Sequence, residues 1–282
     1  MKLGFCMLLW TTEVTPEHRP ILEDLKTTGY DGVEIPVFGG EVDDYRRLAE
    51  LLDEVGLERT AISIFGAPEE DPLSSDGEVR RAAAASLRQK LDCARALGAT
   101  QLAGPLHQVL GQFSGEPPTE AERERAREVH TAGGDYAAEH GQRIVLECVN
   151  RFESYFATTQ GLLSDYLASL AHPAVTGMYD TFHANIEESD PIAAFTDNLD
   201  HIAYIHLSEN DRGVPGRGHV PWGPTFSAIK ASGYDGWLTI EAFGRGLPDL
   251  AAATRVWRDF AESPEAVYRE GFAHIRAGLD GA

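Results

Sequence analysis

The chain has 282 residues, of which 43% are hydrophobic and 24% charged, and it carries a formal net charge of −21. That length holds one (β/α)8 barrel of about 250 residues with modest extensions and leaves no room for a second full domain. A surface this acidic repels phosphate backbones, so nucleic acid is excluded as the expected partner, but a divalent cation or a neutral sugar is not.

No apolar stretch approaches the ~18 residues of a membrane span, so no membrane partner is expected. Cys6, Cys93 and Cys148 form neither a Cys-x-x-Cys pair nor a disulfide framework, which suits a reducing cytoplasm. Met1–Trp10 reads as a first strand rather than a signal peptide, because it lacks a small-residue cleavage site and a polar segment follows at once.

The strand expected there is Leu3–Leu9. Further β-type runs are Gly32–Val37, Ala61–Phe65, Gln101–Ala103, Arg143–Val149, Val175–Tyr179, Ile202–Leu207 and Trp237–Glu241. Helices are expected between them. They are Pro16–Thr28 behind a Thr15 cap, Asp43–Val55, Glu78–Leu97, Thr119–His140 with a capping box, Thr159–Leu170, Pro191–Leu199, Pro224–Ala231 and Pro248–Phe260. An amphipathic segment, Pro264–Leu279, makes an extra C-terminal helix. The phrase Gly-Tyr-Asp-Gly occurs at Gly29–Gly32 and again at Gly233–Gly236, each time leading into a strand that carries an acid, Glu34 or Glu241. This reads as a local echo of the βα unit, not as a solenoid repeat.

Alternation over eight units predicts parallel strands with helices outside. The expected fold is therefore α/β: a single domain over residues 1–282, a (β/α)8 TIM barrel with an extra C-terminal helix, preferred to an open doubly wound sheet. The long segments Gly66–Gly77, Gly104–Pro118 and Ser208–Gly223 follow strands. They belong to the C-terminal face, where the active sites of this fold lie.

Four of the later strand-type runs end in a metal-type ligand: Glu147, Asp180, His206 and Glu241. The intervals between them are 33, 26 and 35 residues, about one strand-plus-helix unit each time. Such residues at the ends of successive parallel strands converge on one point. Three carboxylates and one imidazole suit Mn²⁺, Mg²⁺ or Co²⁺ better than a structural zinc, which favours thiolates and several histidines. Glu58, Glu69 and Glu70 lack this context and read as surface. Close to the ligands stand Glu153, His183 and Arg212, each placed either to touch a substrate or to orient a ligand.

These residues resemble a known family. Glu147-x5-Glu153 within Leu-Glu-Cys-Val-Asn-Arg-Phe-Glu, Asp180-Thr181-Phe182-His183-Ala184-Asn185, and His206-x5-Arg212 followed by Gly213-x-Pro215-Gly216-x-Gly218 look like the ketose 3-epimerases. These are the D-tagatose and D-allulose (D-psicose) 3-epimerases of the xylose-isomerase-like barrels. Glu241, after the second Gly-Tyr-Asp-Gly turn, completes the match, which covers nearly the whole chain and is densest from Leu146 to Phe243. The resemblance implies that Glu147, Asp180, His206 and Glu241 bind one divalent metal, Mn²⁺ or Co²⁺ with Mg²⁺ as a third choice. It implies that Glu147 and Glu241 are also the acid/base pair, and that Glu153, His183 and Arg212 hydrogen-bond the ketose around its reacting end. A homodimer or homotetramer is the assembly it implies.

The chemistry is sound on its own terms. Epimerising C3 of a ketose removes a proton beside the C2 carbonyl and returns it to the opposite face through a cis-enediolate. A metal on O2 and O3 stabilises the developing charge, and two carboxylates on opposite faces serve as base and acid. Their tie to the metal holds their pKa values down. An aldose–ketose isomerase of the hydroxypyruvate-isomerase kind shares the enediolate step and is the nearest alternative. A metal-dependent endonuclease on the same barrel wants more histidines and a basic groove. A non-catalytic sugar-binding barrel is expected to lack one of the two glutamates. Trp10, Phe38 and His107 are candidates for the wall around the distal sugar carbons, with core packing as their other reading. Gly244-Arg245-Gly246, after the last strand, reads as a plain turn rather than a phosphate site.

Overall fold

The computed structural model describes residues Met1–Gly281. Eight parallel strands pair in chain order: β1 (Lys2–Cys6), β2 (Gly32–Pro36), β3 (Glu58–Ile62), β4 (Gln101–Gly104), β5 (Arg143–Glu147), β6 (Val175–Asp180), β7 (Ile202–His206) and β8 (Trp237–Ile240). Strand β8 pairs back onto β1 and closes the barrel. The connecting helices are α1 (Arg19–Thr28), α2 (Val42–Val55), α3 (Gly77–Leu97), α4 (Glu120–Glu139), α5 (Gln160–Leu170), α6 (Thr181–Glu187), α7 (Pro191–Asp197), α8 (Trp222–Ser232) and α9 (Pro248–Ala253). The extra C-terminal helix is α10 (Pro264–Gly281). Among the described residues, no helix is long and apolar enough to cross a membrane.

Strand alternation sorts the side chains. On β5, Ile144 and Leu146 join the core between sheet and helices, whereas Val145 packs inside the barrel with Ala103, Met178 and Tyr204. The two Gly-Tyr-Asp-Gly turns do the same job twice. Gly29 and Gly233 end α1 and α8 at φ +117° and +72°, a left-handed region that glycine enters without a Cβ clash. Asp31 then accepts the Leu3 N–H at 2.8 Å, and the Tyr30 hydroxyl donates to the Tyr268 carbonyl of α10 at 2.7 Å. The C-terminal helix is thus tied to the first βα unit.

Several boundaries differ from the sequence reading. Strand β1 stops at Cys6, because Met7–Leu9 form a buried 3₁₀ turn. Strand β3 starts at Glu58, since ladder pairing with β2 begins on charged residues that carry no apolar signal. Pro16–His18 is a 3₁₀ turn ahead of α1. Helix α9 ends at Ala253, and Arg255 follows in the left-handed region at φ +61°. Helix α6 was not anticipated. Glu70, read as surface, accepts from the buried Lys90 ammonium at 2.9 Å.

Candidate active site

The predicted ligands converge because of strand period. Each stands two residues after a residue of the barrel interior: Glu147 after Val145, Asp180 after Met178, His206 after Tyr204, and Glu241 after Thr239. All four therefore point inward at the C-terminal mouth, and all four are buried. One ligand atom from each lies within 4.8 Å of those of the others, so the group can hold a metal ion.

Glu147 Oε1, Asp180 Oδ2 and His206 Nδ1 have no hydrogen-bond partner among the described residues. Three orphaned polar atoms at one buried point are costly unless something binds them. His206 Nδ1 lies 3.9 Å from Glu147 Oε1, 3.8 Å from Asp180 Oδ2 and 3.5 Å from Glu241 Oε2. The donor set, three carboxylates and one imidazole, fits a hard divalent cation.

Electrostatics agree. Burial pushes the Glu147 carboxyl up to about 8, with the Asp180 charge adding to it and His206 opposing it. Asp180 moves the other way. Burial would raise it, but the charges of Arg212, His183 and His206 hold it below the usual carboxylate range. Burial also disfavours a charged His206 ring, but the Glu34, Glu147 and Asp180 carboxylates together outweigh it and the net direction is upward. A cluster of carboxylates this dry is short of positive charge.

Glu153, His183 and Arg212 line the cavity above the ligands, which has a volume of about 350 Å³. His183 sits on α6, whose first turn Asp180 caps by accepting the Phe182 N–H at 2.6 Å. The backbone N–H of Asn150 donates to His183 Nδ1 at 3.0 Å. That donor cannot turn away, so Nε2 carries the ring proton, and burial lowers the ring's pKa to about 4. Arg212 Nη2 lies 2.9 Å from the same Nε2, so the guanidinium and the imidazole edge sit side by side at the cavity.

Arg212 itself is tightly held. Its φ of +62° is left-handed, a strain of roughly 1–3 kcal/mol that the surroundings must impose. Its guanidinium lies 4.1 Å from the Phe182 ring centroid and 4.9 Å from that of Phe243. It bonds the Glu241 carboxylate and approaches Asp180 Oδ2 at 3.2 Å. The loop that carries it folds around buried Glu209. That carboxylate accepts from the Gly216 N–H at 2.7 Å, the Val220 N–H at 3.1 Å and the Trp222 indole N–H at 2.9 Å.

The outer wall is apolar, with Leu8, Phe38, Ile62, Phe152, Phe243 and Leu250. Of the three distal candidates, only Phe38 lines this cavity. Trp10 packs on Phe5 and Tyr268. His107 is fully buried, stacks on Phe156 and bonds the Glu147 carbonyl from Nε2 at 2.8 Å. It supports the backbone of β5 instead of facing the cavity. Two site residues escaped the sequence reading. Glu34 contacts His206 Nε2 through both oxygens. Asn150 connects Glu153 and His183.

Comparison with known proteins agrees with the geometry. The model of the xylose isomerase-like TIM barrel family matches residues 22–278. A probable ketose 3-epimerase of Synechocystis sp. is 30% identical over 98% of this chain and 96% of its own length. An L-ribulose 3-epimerase of Methylomonas sp. is 32% identical over 92% of this chain and 91% of its own. The crystal structure of the D-psicose 3-epimerase of Clostridium cellulolyticum H10 with D-tagatose superposes with a TM-score of 0.88 at 26% identity, covering 99% of both chains. The chain thus belongs to the xylose isomerase-like TIM barrel family and, within it, to the ketose 3-epimerases, carbohydrate epimerases of the isomerase class.

Proposed function

We propose that this protein is a metal-dependent ketose 3-epimerase that interconverts C3 epimers of free ketoses. The candidate pairs are D-fructose with D-allulose, D-tagatose with D-sorbose, and ribulose with xylulose. The observation that carries the reading is the set of orphaned ligand atoms on Glu147, Asp180 and His206, gathered with Glu241 beneath a sugar-sized cavity. Those four residues would hold one divalent ion, Mn²⁺ or Co²⁺ before Mg²⁺. Bound there, it would polarise the ketose carbonyl and offset the negative charge that develops on O2 and O3.

In this reading Glu147 and Glu241, on β5 and at the end of β8, flank C3 from opposite faces. One carboxylate removes the C3 proton to give an enediolate, and the other carboxyl returns a proton to the other face. The roles exchange in the reverse direction. Glu153, His183 and Arg212 hydrogen-bond the ketose around its reacting end, and the His183 Nε2–H and Arg212 N–H groups donate to its oxygens. The aromatic faces of Phe182 and Phe243 keep the guanidinium in place and exclude water.

A panel of ketohexoses and ketopentoses tests the proposal, assayed after chelation and again after Mn²⁺ or Co²⁺ is restored, with products identified by chromatography. C3 epimers are expected from at least one sugar, and only with metal. Aldoses as the products would replace this reading with an aldose–ketose isomerase. Turnover of no ketose with metal present would sink it.

A further inference from the structure

The geometry points to Glu34 as the positioning residue of the metal site, a role that rests on the metal-site reading above. Glu34 lies on β2, on the far side of the barrel from the four ligands' run of strands, and is completely buried. Its inward direction follows from strand period, with Gly32 two residues earlier. There the Glu58 carbonyl oxygen and the Trp237 ring leave no room for a Cβ, which would meet the ring at 2.6 Å and the oxygen closer still. The Glu34 carboxylate therefore stands directly over the filled barrel interior.

Its Oε1 and Oε2 lie 3.2 and 3.1 Å from His206 Nε2. A carboxylate only accepts, so Nε2 carries the ring proton. When the ring is neutral, the other nitrogen, Nδ1, holds the lone pair and opens onto the space among Glu147 Oε1, Asp180 Oδ2 and Glu241 Oε2. That nitrogen has no hydrogen-bond partner among the described residues. Glu34 thus fixes both the tautomer and the direction of the one imidazole in the ligand set. A carboxylate behind a ligating histidine also makes the ring a stronger donor. Burial of a carboxylate at this depth is expensive, and a packed apolar residue would cost less, which a positioning role explains.

Cys6, Glu34 and Glu241 also come within 4.8 Å of one another through one ligand atom each. Glu34 as the ligand of a second cation is therefore the competing outcome. Both Glu34 oxygens already face the His206 N–H, which favours the positioning role.

The test counts bound Mn²⁺ by the EPR signal of the free ion, in the wild-type chain and in Glu34→Gln. Wild type is expected to bind one Mn²⁺, and Glu34→Gln to bind it about 10–100-fold more weakly without a lower melting temperature in the metal-free state. In a His206→Gln background the same change should alter Mn²⁺ affinity by less than about threefold, because Glu34 acts through the ring. Equal affinity of wild type and Glu34→Gln would overturn the role, as would a full loss that persists without His206. Two bound ions falling to one would make Glu34 a ligand. A wild-type chain that binds no Mn²⁺ would remove the metal-site reading itself, a different failure. One measurement needs no variant. Long-range ¹H–¹⁵N spectra of the Mg²⁺-saturated wild type should place the His206 proton on Nε2, and a proton on Nδ1 would contradict the assignment.

Discussion

Asn150 ties Glu153 to His183. Its side-chain Nδ2 donates to Glu153 Oε1 at 2.7 Å, and its backbone N–H donates to His183 Nδ1 at 3.0 Å. Two residues proposed to hold the ketose are therefore set by one asparagine in the loop between β5 and α5. Asn150→Ala should free the Glu153 carboxylate while the backbone bond to His183 survives. The expected result is a fall in kcat/KM of roughly 10–100-fold, mostly through KM, with Mn²⁺ affinity unchanged. Steady-state kinetics and an Mn²⁺ titration on the same variant check both halves.

Chelation should separate folding from function. Without the proposed metal, three carboxylates and a histidine stay crowded within 4.8 Å. The metal-free chain should stay folded but melt lower. Mn²⁺ at about 100 times its dissociation constant stabilises by about 2.7 kcal/mol. For a chain of this size that corresponds to a rise in Tm of roughly 5–10 °C. Differential scanning calorimetry with EDTA and with excess Mn²⁺ reads the shift, and no shift would argue against a resident cation.

The loop that carries Arg212 depends on Glu209. Glu209→Ala would leave the Gly216 and Val220 N–H groups and the Trp222 indole N–H without their acceptor. Val220 and Trp222 are buried, and at about 1–3 kcal/mol for each unsatisfied buried donor a loss of at least about 2 kcal/mol is expected. Tm should fall by roughly 4–8 °C. Activity should fall with it, because Arg212 is held in its left-handed backbone conformation by this loop. Urea denaturation of the variant gives the energy directly.

Acid should destabilise the fold through His130. The ring is fully buried between Tyr166, 2.6 Å from Nδ1, and the Leu106 carbonyl, 2.7 Å from Nε2. Burial lowers its pKa to about 4, with the Leu106 contact opposing. The unfolded chain, at about 6.5, binds the proton first. Stability is therefore complete above about pH 6.5, is lost as pH falls, and has lost the whole contribution below about pH 4. That contribution is about 3 kcal/mol. Between pH 7.5 and 5, His130→Gln should lose about 2 kcal/mol less than wild type in urea titrations. Parallel losses in the two proteins would assign the acid sensitivity elsewhere.

The site was more legible than its support. Ligands at strand ends show in a single sequence, because a charged residue closing an apolar run is conspicuous: Ile144-Val145-Leu146-Glu147 is such a case. Their inward direction then follows from period two. Glu34 was visible only as the acid after the first Gly-Tyr-Asp-Gly turn. It lies mid-strand in β2 and its partner His206 is 172 residues away, so no local pattern names the pair. Asn150 was read inside a motif without a role, since hydrogen bonds to side chains on another element leave no periodic trace. The start of β3 at Glu58-Arg59 and the stop of α9 before Arg255 were missed for a related reason. Pairing with a neighbouring strand and a left-handed arginine override local propensity.

The opposed pair Glu147 and Glu241 makes the strongest demand on the account. In the proposed mechanism, replacing either with Gln removes a group that takes or gives the C3 proton, and kcat should drop by roughly 10²–10⁴-fold. Both residues are also proposed ligands, so an activity loss alone does not isolate proton transfer. The most direct measurement is turnover of a ketose by the Mn²⁺-loaded wild type in D₂O, with the position of deuterium read by NMR. The account predicts deuterium at C3 of the product epimer. Deuterium only at C1 or C2, or C3 epimers formed with no deuterium at all, would contradict it.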